Sequence, residues 1–414
     1  MVLYSIKRNF FNGFHFELVP VLFILIVCPL FALPFVLNGI YRQKKSAYFL
    51  FSLILGLLSW LQIPSGDLFR HTMDYYEQYG TPISSIFDFT YGFDFIGKLG
   101  KWVLINNGLP YQYFRLISMT ESFYILSLIL IWMLNHSKRA YTPSEAFVRF
   151  ILLFLLFEFI QTTSGTRYCF AVYNYIYGLH LWFNIRKRIP AIFFFLLSIF
   201  IHDTLVFLIP LGFILYISCT SRKKVLVILI LGSIIAIGAV SAMSTLMGRR
   251  YEFYFDNGSS LGGNTFQEVT MAGFILFTLC RVLLLPFAYL AFRYFKSNEP
   301  WIRMMVVWSI VMCIFITNSV MIFRIAVFMS AIIPFMLISI EHSIRLRKPV
   351  FKFLIFCAIA NTGFNTINYR NIILNSRFEY IITPVPIILD FIYEKNWVIN
   401  HVDGNTITKP RISI

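Results

Sequence analysis

Six arginines, Arg70, Arg167, Arg249, Arg250, Arg281 and Arg324, stand apart from the basic clusters of this chain. A charge at the centre of a membrane helix costs on the order of 2.5 to 3.5 kcal/mol on the insertion scale, so it is seldom kept without a role. Guanidinium forks take phosphate oxygens two at a time, which suits a diphosphate where water is scarce. The plain alternative for each arginine is to snorkel, or to pair with a carboxylate such as Glu121 or Glu158. His202, in LLSIFIHDTLVFLIPLG, titrates near neutrality and is a candidate base or proton donor. Its neighbour Asp203 reads as the N-cap of the next helix. The stretch PSGDLFRHTMDYYEQYGTPISSIFDFTYGFDF adds Asp67, Asp74, Tyr75, Tyr76, Tyr79 and Tyr91. Such tyrosines beside acids suit stacking on sugar rings and hydrogen bonds to hydroxyls, although rings in a membrane-interface belt look the same.

Composition says what must hold these side chains. Of 414 residues 58% are hydrophobic and 13% charged, 47 are Phe, and the mean hydropathy is +0.73, far from soluble usage. The pattern predicts an all-α, polytopic integral membrane helix bundle in a single domain. Candidate spans fall near 18–38, 46–64, 115–134, 147–163, 168–184, 189–201, 204–219, 225–247, 269–292, 304–319, 322–340 and 352–374, about twelve at roughly 20 residues per crossing. The net charge of +16 is spread in short groups between apolar runs rather than along one polar face. Membrane lipid, not nucleic acid, is therefore the expected surround. Cys28, Cys169, Cys219, Cys280, Cys313 and Cys357 show no CxxC pair and no metal-ligand spacing, so no metal or cofactor is expected. Nor is there a GxGxxG, Walker A, nucleophile elbow or HExxH.

The basic groups YRQKKS, NHSKRAY, IRKR, SRKK, RYFKSNEPWIR and residues 345–352 each follow an odd-numbered span, so all six fit the cytoplasmic side. That leaves the loops at about 65–114 and 248–268, both chain ends and the tail at about 381–414 on the outer side. The run at 18–38 lacks a small-residue cleavage site and reads as a retained span. From Ile189 to Cys219 there are 31 residues between two same-side clusters. Two full crossings need about 40, which predicts a pair of short or re-entrant helices turning at His202-Asp203 beside a cavity open to the outside. Arg167 and Arg324 fall at equally tight outer turns.

The ordered set GDLFRHTMDYYEQYG, SGTRYCFAVYNYIYG, IFIHDTLVFLIPL and FRIAVFMSAIIPF resembles the EpsG/Wzy-type family of bacterial polysaccharide polymerases over roughly residues 18–390. Tyr168 stands where that family commonly has Gln, and Asp203-Thr204 where small residues are common. The resemblance implies a glycosyltransferase-C-like membrane enzyme that joins undecaprenyl-diphosphate-linked oligosaccharide repeat units at the outer face of the bacterial cytoplasmic (inner) membrane. Its product would be an O-antigen, capsule or exopolysaccharide, and a chain-length regulator is a plausible partner. On that basis Arg167 and Arg324 are expected on the diphosphate with Arg70 or Arg281 assisting. His202 or Asp67 is expected near the acceptor hydroxyl, and Asp74, Tyr75, Tyr76 and Tyr79 on the sugars. No metal is needed, because a glycosyl diphosphate already has a good leaving group.

Competing readings stay open on sequence alone. A flippase or transporter would also have about a dozen spans, but paired halves with broken helices and charge deep in the bundle. A lipid-phosphate-sugar transferase or an O-antigen ligase would differ in the length of its product. A scaffold without activity is the third.

Overall fold

A computed structural model of the chain describes residues 16–87, 94–231, 278–296, 298–315, 319–344, 346–403 and 406–407. The apolar runs fold as helices: α1 (Leu18–Val27), α2 (Pro29–Tyr41), α3 (Lys45–Leu61), α4 (Asp67–Glu77), α5 (Phe95–Asn106), α6 (Gln112–His136), α7 (Pro143–Leu156), α8 (Phe159–Ser164) and α9 (Thr166–His180). After a π turn at Leu181–Ile185 come α10 (Arg188–Ile201), α11 (Thr204–Ser218), α12 (Leu285–Arg293), α13 (Pro300–Ile314), α14 (Ser319–Ser343), α15 (Lys348–Asn368), α16 (Arg370–Asn375), α17 (Val385–Asp390) and α18 (Lys395–His401). Val402–Asp403 and Thr406–Ile407 form a two-residue antiparallel ladder. Local chemistry sets the starts. Pro29, Pro143, Pro300 and Pro349 sit in first turns, where the missing N–H costs nothing. Thr142 and Glu145 form a capping box at α7, each satisfying a backbone N–H that the first turn leaves open.

Two long helices define the ends of the bundle. α6, with 25 residues, is about 37 Å long at 1.5 Å per residue. Arg115 near its N-terminus donates to the carbonyls of Ser59 and Gln62, completing the C-terminal turn of α3. At its other end His136 stacks on Trp132, which also meets His180. α14 runs from Arg324 at the first end to Glu341 at the second. There the basic loops gather. Arg149 forks onto Glu341 at 2.6 and 3.3 Å, Tyr141 Oη donates to the same carboxylate at 3.0 Å, and the Lys138 N–H reaches His342 Nδ1 at 3.5 Å. Arg303 donates to the Ile217 carbonyl, and Arg222 to that of Arg293. The clustering of basic loops at one end follows the charge pattern.

Val19, Phe23, Phe31, Phe193, Ile214 and Phe356 point outward and exposed. A soluble surface does not carry such an apolar band, whereas a bilayer makes it favourable, and the chain is a membrane protein. Among the described residues three helices are long and apolar enough to cross a membrane: Gln112–His136, Met321–His342 and Lys348–Asn368. Six more apolar helices are shorter, so length alone does not bring the described residues to the expected dozen crossings. Residues 232–247 of the expected span 225–247, residues 269–277 of the span 269–292, and Arg249 and Arg250 lie outside the described residues.

Three expectations meet structure in detail. α10 and α11, 14 and 15 residues long, reach only about 21–23 Å at 1.5 Å per residue, against about 30 Å of hydrocarbon. They do turn at His202-Asp203. Asp203, however, makes no side-chain cap. His202 Nδ1 instead accepts the Thr204 N–H at 3.3 Å, because extended backbone at His202 (φ −149°, ψ 115°) brings its ring over the first turn of α11. The span expected at 147–163 is broken: α7 stops at Leu156 and Glu158 adopts φ 50°, a left-handed conformation that a non-glycine residue keeps only under constraint. Its buried carboxylate accepts from Asn361 at 3.1 Å and Ser330 at 3.3 Å. Finally, the tail folds back over the first end of the bundle. Trp60 Nε1 and Gln112 Nε2 donate to the Phe391 carbonyl, and Tyr393 Oη donates to that of Leu61.

Candidate functional site

α4 starts from Gly66 at φ 67°, where a Cβ would be strained. Its buried residues Leu68, His71, Thr72 and Tyr75 recur at helical spacing and face the bundle. That leaves Asp67, Arg70 and Asp74 along the rim. His71 is almost fully buried between two carboxylates, with Nε2 3.1 Å from Asp67 Oδ2 and Nδ1 3.6 Å from Asp74 Oδ2. Asp67 also pairs with Arg70, and Lys101 Nζ, from α5, donates to Asp74 at 2.9 Å.

Arg167, in the first turn of α9, reaches into the same cluster. Its Nε lies 3.3 Å from His71 Nε2 and its Nη1 pairs with Asp94, the residue ahead of α5. Glycine at position 97 makes room for it, since a Cβ there would stand 3.0 Å from Arg167 Cδ and 3.5 Å from the Ile201 carbonyl. Gly97→Val is therefore expected to push Arg167 out of line. We expect a stability loss of about 1–3 kcal/mol from overpacking and a loss of activity larger than that of Gly97→Ala, read by thermal melting and an activity assay. Equal activity in the two variants would mean that the close approach is dispensable.

The third part comes from α9, α11 and α14. Tyr168 Oη donates to the Arg324 carbonyl at 2.9 Å, and its ring lies 5.1 Å from the Arg324 guanidinium and edge-on to His202 at 5.2 Å. Arg324 in turn donates to Thr204 Oγ1. Asp203 Oδ1 is 3.3 Å from His202 Nδ1. Arg324, Arg167, Asp67 and His71 are all near enough for their charges to act on His202, so the two halves form one group.

Electrostatics in the α4–α5 half follow from burial and neighbours. Burial opposes ionisation of Asp67, but His71, Arg70 and Arg167 outweigh it and hold the carboxyl well below its usual range. Asp74 is likewise held low, by His71 and Lys101 against burial. Burial and the Arg167 charge keep His71 below its ordinary value despite both aspartates. The same two causes bring the Lys101 ammonium down to about 8, against Asp74 and Asp94.

Asp67, Arg70, Asp74, Arg167, His202 and Arg324 thus come together from four separate stretches. Others do not. Arg281 packs 5.1 Å from the Phe323 ring. Phe323 and Arg324 are successive on α14 and diverge by about 100°, so Arg281 faces another side of that helix. It shares the neighbourhood of Cys280 and Tyr369 with Glu158. Tyr75 is buried with its hydroxyl on the Leu109 carbonyl at 2.6 Å, and Tyr76 spends its hydroxyl on the Tyr393 carbonyl at 2.9 Å. Both hydroxyls brace α4 against neighbouring chain, and Tyr76 is half-buried. Tyr79 is exposed, and Tyr91 lies outside the described residues. His71 and Lys101 join the site without having stood out in the sequence, Asp94 is one acid of the outer loop with no role expected, and Tyr168 stood out only as a departure from the family pattern. Only the Asp67, His71, Asp74 spacing of four and three, one face of a helix, pointed to any of them.

A helix bundle with an apolar outer surface, its basic loops at one end and arginines, aspartates and histidines converging at the other, is a polytopic membrane protein. The chain belongs to the EpsG family, whose model matches residues 65–382, most of its length; these are Wzy-type polysaccharide polymerases. That stretch contains every residue of the convergent group. No curated protein and no solved structure matches the chain.

Proposed function

We propose that the chain joins oligosaccharide repeat units carried on undecaprenyl diphosphate, at the outer face of the bacterial cytoplasmic membrane. The observation that supports this most is the convergence of Arg167 and Arg324 beside Asp67 and His202 at the end opposite the basic loops. In this reading the anomeric C–O bond to the diphosphate breaks, the electron pair leaves on the phosphate oxygen, and the two guanidiniums receive its charge. Nδ1 of His202 faces both the Thr204 N–H and Asp203 Oδ1 at 3.3 Å; in this reading it accepts from Thr204, and its neutral ring carries the proton on Nε2. His202 then serves as a donor to the departing oxygens rather than as the base. Asp67, its side chain 39% exposed at the rim, takes the proton of the acceptor hydroxyl. Arg70 holds Asp67 in place. Alignment of two large lipid-borne substrates supplies much of the remaining rate.

The test is a host lacking the gene, restored with wild type or Asp67→Asn at matched membrane abundance, with surface polysaccharide resolved by gel. Wild type is expected to give a ladder of repeats, and the deletion and Asp67→Asn a single repeat unit. A ladder in the deletion strain ends the polymerase reading. A ladder only with Asp67→Asn present leaves the enzyme and removes Asp67 as its base.

A further inference from the structure

His71 is the group that this mechanism has not used, and its surroundings are chemically over-constrained. One ring nitrogen, Nε2, faces both an acceptor, Asp67 Oδ2 at 3.1 Å, and a donor, Arg167 Nε at 3.3 Å. A neutral imidazole nitrogen carries either a hydrogen or a lone pair and cannot serve both partners at once. If Nε2 bears hydrogen, Asp67 is satisfied and the Arg167 N–H faces another hydrogen. If Nε2 offers its lone pair, Arg167 is satisfied, Nδ1–H turns toward Asp74, and Asp67 Oδ2 lacks a donor unless Asp67 itself carries a proton. The arrangement therefore has two hydrogen-bond states, and a proton arriving on Asp67, or a ligand drawing Arg167 away, selects between them.

We propose that His71 stores the proton released in glycosyl transfer, receiving it from Asp67 as Arg167 is engaged by the departing diphosphate. The proposal rests on the polymerase reading and deepens it. The acceptor O–H breaks, its oxygen forms the new bond to the anomeric carbon, and the old anomeric C–O bond leaves its pair on the diphosphate. The proton goes to Asp67 and on to His71 Nε2, where the imidazolium is held by Asp67 on one side and Asp74 on the other. The negative charge created on the diphosphate offsets the Arg167 charge that keeps His71 neutral beforehand. Donor departure and proton storage are thereby coupled through one guanidinium. His71 touches no substrate, so it is a positioning residue. The charged and titratable groups around it are Asp67, Arg70 and Asp74 on α4, Asp94, Lys98 and Lys101 at α5, Tyr111 ahead of α6, Arg167 on α9, and His202 with Arg324 beyond.

His71 must be neutral to accept the proton, so the rate falls as the pH drops through its folded-state pKa, which burial and Arg167 place below the ordinary value. The experiment uses the full chain in lipid nanodiscs and, as substrate, the single lipid-linked repeat units that accumulate in the gene-deleted host. Turnover of wild type, His71→Gln and His71→Asn is followed against pH, with melting as a check on folding. Both variants are expected to lose about 10²-fold in kcat, the scale of a proton-transfer contribution, with KM and melting nearly unchanged and the acid limb of the profile abolished or moved. An unaltered acid limb in both variants overturns the proposal while leaving the polymerase reading intact. So does a rise in KM or a loss of melting temperature that accounts for the lost rate, since His71 is then only structural. Wild type that makes no polymer from this substrate overturns the polymerase reading, and this proposal with it.

Discussion

Arg167→Ala is expected to cut polymer formation by about 10²- to 10³-fold, the loss seen when one donor to a developing oxyanion is removed. The argument is geometric. Arg167 stands at the junction of the site, paired with Asp94, in contact with His71 and pressed against Gly97 of α5. Alanine there removes the charge that would meet the departing diphosphate. It also leaves Asp94 with Lys98 at 3.9 Å as its remaining ion pair among the described residues, so the start of α5 loses its ion pair to α9. Arg167→Lys restores a cation but not the fork, and a point charge cannot hold Asp94 and face a second oxygen in the same way. It is expected to fall between wild type and alanine. Polymer ladders at matched membrane abundance read the effect, and melting separates it from misfolding. A full ladder from Arg167→Ala would remove the diphosphate role from the best-connected arginine of the site.

The largest stability effect is expected at the opposite end. Glu341, its side chain 3% exposed, receives Arg149 through a two-nitrogen fork and Tyr141 through its hydroxyl. Arg149 also lies over the Phe351 ring at 4.7 Å, so this one side chain ties α7, α14 and α15 together. Taking it away leaves the buried carboxylate only the Tyr141 hydroxyl and Arg139 at 3.9 Å, and losing the main partner of a buried charge costs up to about 3–5 kcal/mol. Arg149→Ala should melt well below wild type and accumulate poorly in membranes. The paired change Arg149→Met with Glu341→Leu should regain much of the loss, because apolar groups of similar size often replace a buried ion pair without penalty. Activity per folded molecule should be unchanged, since 17 residues of α14 separate Glu341 from Arg324, about 26 Å along the helix. Equal melting of Arg149→Ala and wild type would show that the clasp is water-filled and weak.

How far each feature was legible depends on the range of the forces behind it. The helix turn at His202-Asp203 could be counted, because 31 residues between two same-side basic groups leave room only for short helices. Arg167 and Arg324 stood out because a guanidinium in an apolar run is costly wherever it lies. Asp203 misled, since its cap was a local expectation that the neighbouring histidine pre-empted by placing Nδ1 over the same N–H. The hydroxyl partners of Tyr75 and Tyr76 were hidden for the opposite reason. The two hydroxyls are taken by carbonyls of Leu109 and Tyr393, distant partners that no window of sequence contains. The break at Glu158 was invisible as well, because its unusual backbone is held by Asn361 and Ser330, about 200 and 170 positions away.

By itself the sequence determined that this is a membrane helix bundle, which end gathers the basic loops, and which arginines are out of place in apolar runs. Hydrophobic transfer and charge orientation are sums over short stretches and need no partner to be read. Tertiary structure alone decided that His71 stands between Asp67, Asp74 and Arg167, that Tyr168 bridges His202 to Arg324, and that Arg281 faces away toward Glu158's neighbourhood. Those outcomes depend on the rotation of α4 about its axis and on where α9 starts and how it packs against α14. Hydrogen bonds are made or lost within about half an ångström, and that precision is set by the packing of the whole bundle.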